Sequence, residues 1–140
     1  DDASTESVII DFMKNIEFDR LVTIQATSPL LLSNDLDSAL DDFEIQNCDS
    51  MLSVVRAKRF FWNEDGTPIN YDVHNRPRRQ EFKGTLMENG AFYITTRETL
   101  LQYNNRLGGK IGLFEMAEET SIEIDEPLDW DIVKQLLKAR

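Results

Sequence analysis

The chain of 140 residues has a single cysteine, Cys48. One thiol excludes an internal disulfide, a cysteine zinc cluster and a CxxC redox pair, and it makes a reducing, cytoplasmic setting the default expectation. No apolar run nears the roughly 18–20 residues of a membrane span. The opening DDASTESVII lacks the basic and apolar regions of a signal peptide. Histidine occurs once, at His74, with no motif around it, so a histidine general base is a poor expectation. None of the six glycines falls in a strand-to-helix phosphate loop. Gly108-Gly109-Lys110 precedes an expected strand rather than a helix, and it reads as a turn.

Positive charge is also scarce: 15 Lys+Arg stand against 26 Asp+Glu, a formal charge of -11. That balance opposes a general nucleic-acid binder, which needs positive potential along a face. The scarcity is uneven. Residues 56–83 hold seven Lys/Arg against four Asp/Glu, so the rest of the chain is strongly acidic. A positive island in an acidic protein suits a small anionic ligand.

The apolar fraction of 41% is enough for the core of one domain. Val8, Ile9, Phe12 and Met13 recur at helical spacing over 4–15. RLVTIQATSPL reads as a short buried strand that Pro29 stops. SNDLDSALDDFEI predicts a helix capped by Ser33 or Asn34, and SMLSVVRA a second buried strand. Residues 20–57 thus make a strand–helix–strand unit of a mainly parallel sheet. Residues 58–88, rich in aromatic bursts and turn residues, read as strands and loops projecting from the core. GAFYITT predicts a strand, RETLLQYNN a helix and KIGLFEM a strand. EPLDWDIVKQLLKAR predicts a last helix, with Leu128, Ile132, Val133, Leu136 and Leu137 on its buried face.

Four stretches could carry chemistry. Gln25, Thr27 and Ser28 of QATSP lie at the carboxyl end of a strand, where open sheets place ligands. They could bind a polar ligand, or Thr27 and Ser28 could satisfy the turn before Pro29. In NRPRRQ a proline stiffens the backbone between arginines. Arg78 and its neighbours could fork onto a carboxylate or phosphate, or form a solvated charged loop. Asn89-Gly90 of ENGAFY could bond a ligand or occupy a turn. Glu123 and Asp125 of SIEIDEP alternate with Ile122 and Ile124, so both carboxylates share a face. They could hold a hard cation such as magnesium, or simply be surface.

In this order, TIQATSPLL, NRPRRQ, ENGAFYIT and SIEIDEPLDW resemble the acylneuraminate cytidylyltransferases, the CMP-sialic acid synthetase family. DLDSAL and DSMLSVV fit as well, and the resemblance runs through nearly the whole chain. It implies an α/β, Rossmann-like nucleotidyltransferase fold with a projecting β-rich dimerisation arm at 58–88, in a partial domain spanning 1–140. It implies a reaction joining CTP to an acidic nine-carbon sugar, with Mg2+, in a homodimer; the acidic balance and the lack of a long apolar run add the expectation of no nucleic-acid or membrane partner. Gln25 resembles the family's sugar-binding glutamine, and Arg78 the arginine that meets the acidic sugar across the dimer. Gln80 and Asn89 match neighbouring substrate positions. Asp125 is similar to the magnesium-binding aspartate, and Glu123 stands where some members have a second aspartate. On this resemblance Arg78 and Asp125 are the expected catalytic pair. The family's glycine-rich amino-terminal phosphate loop has no counterpart here. The chain is therefore expected to be the carboxyl-terminal, sugar- and metal-binding portion of a longer enzyme, the alternative being a non-catalytic dimerisation module of the same fold.

Overall fold

The computed structural model describes residues 3–139. Asp1, Asp2 and Arg140, which bound the expected domain and the last expected helix, lie outside them. Ser4 starts helix α1 (Thr5–Asn15) by accepting the Ser7 N–H on its hydroxyl (3.2 Å). Only Ile9 and Met13 of its apolar stripe are buried, against Leu100, while Val8 and Phe12 are exposed. Strand β1 (Arg20–Ile24) leads to α2 (Ser33–Gln46). The cap of α2 differs from expectation. Asp35 reaches back to accept the Leu32 N–H (2.9 Å), so Ser33 and Asn34 are already helical. On the inner face of α2, Ala39 and Phe43 pack on the sheet through Met51, Val55, Phe92 and Ile94. Each large apolar side chain buried there contributes about 1.5–3 kcal/mol.

Strand β2 (Ser50–Ala57) is the most buried of the strands, as expected of SMLSVVRA, and it buries Ser50 and Ser53 as well as its apolar side chains. The chain then leaves the sheet and returns as β3 (Thr85–Thr96). A short helix α3 (Arg97–Tyr103) follows, capped by the Thr96 side chain, then β4 (Ile111–Met116) and α4 (Pro127–Ala139). The Gly108–Lys110 segment is a turn, as expected. Gly109 has φ +62, and the Lys110 N–H donates to Asp49 Oδ2 (2.7 Å).

The strand order is β1-β3-β2-β4. β1, β2 and β4 run one way, and β3 runs against them between β1 and β2. The β1–α2–β2 unit therefore has the expected parallel sense, but its two strands are not neighbours. The reason lies in the excursion at 58–84. It leaves β2 and re-enters at the adjacent ladder position, Ala57 opposite Thr85, so β3 must return antiparallel like the second strand of a long hairpin.

β3 is not a regular strand. Leu52 faces Tyr93, yet two residues later Val54 faces Glu88, so extra residues of β3 bulge out opposite Ser53. Gly90 takes φ +65 inside the bulge, and the Ser53 hydroxyl accepts the Phe92 N–H (3.1 Å) in place of a ladder bond. Five residues separate Glu88 from Tyr93, which a regular strand would place on opposite faces. The bulge brings them together, and the Tyr93 hydroxyl donates to Glu88 Oε1.

The excursion holds less strand than expected. A tight hairpin pairs Trp62 with Pro68 around Gly66 (φ +83), a single 3₁₀ turn spans Val73–Asn75, and residues 85–88 already belong to β3. The last helix also departs from its expected burial. Val133 is buried and Leu136 partly so, but Leu128, Ile132 and Leu137 are exposed. Helical period locates an apolar stripe; whether the stripe is covered depends on neighbouring elements, which sequence does not give. Among the described residues no helix is long and apolar enough to cross a membrane.

Ser53→Ala would leave the buried Phe92 N–H without its acceptor. It is expected to cost about 1–3 kcal/mol, read as a lower urea midpoint at unchanged slope. An unchanged midpoint would mean that this bond does not hold the bulge.

Candidate functional site

β1 ends because its backbone turns. The Gln25 N–H donates to the Ala91 carbonyl (3.1 Å), the Gln25 carbonyl accepts the Ser28 N–H (3.2 Å), and the Ser28 carbonyl accepts the Leu31 N–H (3.3 Å). Thr27 then offers its carbonyl to the Ile124 N–H (2.9 Å). Three stretches far apart in the chain thus meet at the carboxyl end of β1: QATSP, the bulge of β3, and EID. Gln25 and Thr27 are partly buried. Ser28 is buried, and its hydroxyl has no protein partner.

Asn89 sits under this junction, only 2% exposed. Its Nδ2 donates to Thr120 Oγ1 (3.0 Å) and to the Thr120 carbonyl (3.3 Å), while Oδ1 is buried without a protein partner. This ties the bulge to the 3₁₀ turn Glu118–Ser121, and so to the segment carrying Glu123 and Asp125. Gly90 lies against the Glu123 carboxylate, and a Cβ at position 90 would collide with Oε1.

Burial, then the charges of Asp125 and Glu88, push the Glu123 carboxyl above its ordinary range. Asp125 is exposed. The backbone N–H groups of Asp125 and Glu126 both donate to Asp129 Oδ2 (3.1 and 2.8 Å), so Asp129 is the acid that starts α4. Among the described residues no three His, Cys, Asp or Glu side chains are grouped to hold a metal. Two mutually repelling carboxylates still fit magnesium, which takes one or two protein carboxylates and completes its shell with water and phosphate oxygens.

The arginines expected from NRPRRQ lie elsewhere, on the excursion. Phe60 packs against Tyr71 and Phe82, with ring centroids 4.3 and 4.9 Å away. Arg76 lies over Phe60 (4.6 Å) and Tyr71 (5.5 Å), a stack that fixes its guanidinium. Beyond Pro77, the Arg78 carbonyl accepts the Glu81 and Phe82 N–H groups (2.9 and 3.0 Å), a turn that returns Phe82 to the aromatic cluster. Arg78, Arg79 and Gln80 are left exposed.

An open depression of about 700 Å³ is lined by Lys58, Arg59, Phe60, Arg76, Pro77, Arg78 and Arg79. A second, of about 360 Å³, is lined by Lys58, Arg59, Arg79, Gln80 and Glu118. Asp125 lines neither of these two depressions. Sequence reasoning gave no role to Lys58 or Arg59. The available signal was a Lys-Arg pair directly after Ala57, the last residue of a buried strand. Asn70 was also missed. It pins the base of the excursion by donating to the Arg59 carbonyl (2.9 Å) and Thr85 Oγ1 (2.6 Å), and by accepting the Phe61 N–H (3.0 Å).

No protein-family profile matches the chain. It is 41% identical to the N-acylneuraminate cytidylyltransferase of Oncorhynchus mykiss over 96% of its own length and 33% of that protein's. To N-acylneuraminate cytidylyltransferase B of Danio rerio it is 38% identical, over 96% and 34%. It is 32% identical to the post-translational flagellin modification protein B of Campylobacter coli, over 89% and 55%. The chain therefore spans about a third of the length of the first two relatives. Among solved structures, a 4-diphosphocytidyl-2C-methyl-D-erythritol synthase from Anaerococcus prevotii matches with a TM-score of 0.69 over 97% of this chain and 67% of that one. At 8% identity that likeness speaks for the fold alone.

Burial, followed by the bond to Glu88, pushes the Tyr93 hydroxyl up to about 12 from an ordinary 10.0. A raised folded value favours the fold while the group is protonated. That contribution is whole below pH 10 and is lost as pH rises towards 12. Tyrosinate absorbance is expected to reveal a late-ionising component that Tyr93→Phe removes. Its persistence in that variant would assign it to another tyrosine.

Proposed function

We propose, from its 41% and 38% identity to N-acylneuraminate cytidylyltransferases over the third of their length that it spans, that the chain is the sugar- and metal-binding part of an enzyme joining CTP to an acidic nine-carbon sugar. In this reading the anomeric hydroxyl of the sugar attacks the α-phosphorus of CTP and pyrophosphate leaves. The observation that carries it is the meeting of QATSP, Asn89-Gly90 and EID at the carboxyl end of β1, through the Gln25–Ala91 and Thr27–Ile124 backbone bonds.

Gln25 and the hydroxyls of Thr27 and Ser28 then face the polar sugar, Asn89 steadies the floor beneath it, and Asp125 with Glu123 holds Mg2+. Bound there, magnesium would draw off charge developing on the phosphates. Arg78 takes the carboxylate of the sugar as a two-bond fork, and Gln80 stands beside it. Since Asp125 lines neither of the depressions that the arm's cations line, the reading calls for a homodimer in which the arm of one protomer completes the site of the other.

Arg78→Ala and Asp125→Asn should each weaken magnesium-dependent binding of N-acetylneuraminic acid by about tenfold or more. In mixed dimers of the two variants one site regains both groups. Titration of the mixture is therefore expected to recover tight binding at about a quarter of the sites. No recovery would exclude action across a dimer. Wild-type affinity in both single variants would remove these residues from the site altogether.

A further inference from the structure

The proposed sugar carboxylate needs one arginine fork, yet the arm gathers five cations around its larger depression: Lys58, Arg59, Arg76, Arg78 and Arg79. No acidic side chain lines it. The adjoining depression shares Lys58, Arg59 and Arg79, and its one acidic side chain is Glu118. Arg56, the other arginine at this end of β2, is already forked onto Glu115 (2.8 and 2.5 Å) and lines neither. Like charges held this close repel unless something neutralises them.

The scaffold beneath them is fixed. Asn70 holds the Arg59 carbonyl, Arg76 is stacked on two rings, and Pro77 with the Arg78–Phe82 turn sets the backbone of Arg78 and Arg79. Arg59 itself makes only a long bond to the Lys58 carbonyl (3.4 Å).

We propose that these adjoining depressions form a binding site for a small anion of two linked phosphoryl groups, of the inorganic pyrophosphate class, held by Lys58, Arg59 and Arg79. Those three line both depressions, as a ligand with two anionic centres requires, and planar guanidinium forks match phosphoryl oxygens. A long polyanion fits poorly, because the acidic remainder of the chain repels it beyond the arm. The site uses residues that the sugar-activating reaction leaves without a role. Its test needs neither CTP nor sugar, so the two readings can fail separately.

The test is calorimetric titration of the 140-residue chain with pyrophosphate at fixed, near-physiological ionic strength, beside orthophosphate and a short oligonucleotide. Saturable binding of pyrophosphate, tighter than of orthophosphate, is expected. Replacing the exposed pair, Arg59→Gln with Arg79→Gln, should weaken it about tenfold or more, whereas Arg97→Gln, a cation away from the arm, should not. Amide shifts in a labelled chain should cluster at 58–59 and 76–80. Absent binding, equal affinity for orthophosphate, tighter binding of the oligonucleotide, or shifts centred on 123–125 would each overturn the proposal.

Discussion

The architecture turns on one interruption in one strand. Where β3 passes Ser53 it leaves the ladder, and the buried Phe92 N–H turns to the Ser53 hydroxyl instead of a strand carbonyl. Everything at the carboxyl end of β1 follows from that detour. Ala91 presents its carbonyl to Gln25, Gly90 yields room to the Glu123 carboxylate, and Asn89 turns inward to Thr120. A continuous strand would fill this place with side chains alternating up and down. The bulge instead opens a floor onto which EID and QATSP both fold, tying the two by the Thr27–Ile124 bond.

Charge is segregated on the same plan. Carboxylates gather at the bulge, where burial, then the charges of Asp125 and Glu88, disfavour the ionised form of Glu123. Guanidinium groups gather on the arm, around an aromatic cluster that offers Arg76 two ring faces. The 3₁₀ turn Glu118–Ser121 stands between them, with Glu118 at the edge of the arm's second depression and Thr120 held by Asn89. The proposed reaction would bring an acidic sugar, phosphates and a cation together, and opposite charges set apart but mechanically connected are what such partners need.

Much of this was legible from the residues. Apolar runs and helical spacing located β1, α2, β2, α3, β4 and α4, and the order of four short motifs pointed to the family. The direction of β3 was not legible, because it depends on where the excursion re-enters the sheet. Nor was the meeting of Glu88 with Tyr93, since five residues of strand should set them on opposite faces and only the bulge reverses this. Lys58 and Arg59 join Arg76–Arg79 through the fold of the arm, a contact across some twenty residues that no local pattern encodes. The exposure of Leu128, Ile132 and Leu137 was hidden for the converse reason: a stripe can be read, its cover cannot.

Because Ala57 and Thr85 face each other in the ladder, both roots of the arm are clamped at a single point of the sheet, with Asn70 bridging them. For a flexible segment closed between fixed ends, doubling the length adds only about 0.6 kcal/mol of closure entropy. Residues can therefore be gained or lost between the roots with little effect on the strands they spring from. Reach, tip chemistry and the distance over which the arginines are projected are thus free to diverge among descendants of one unchanging core.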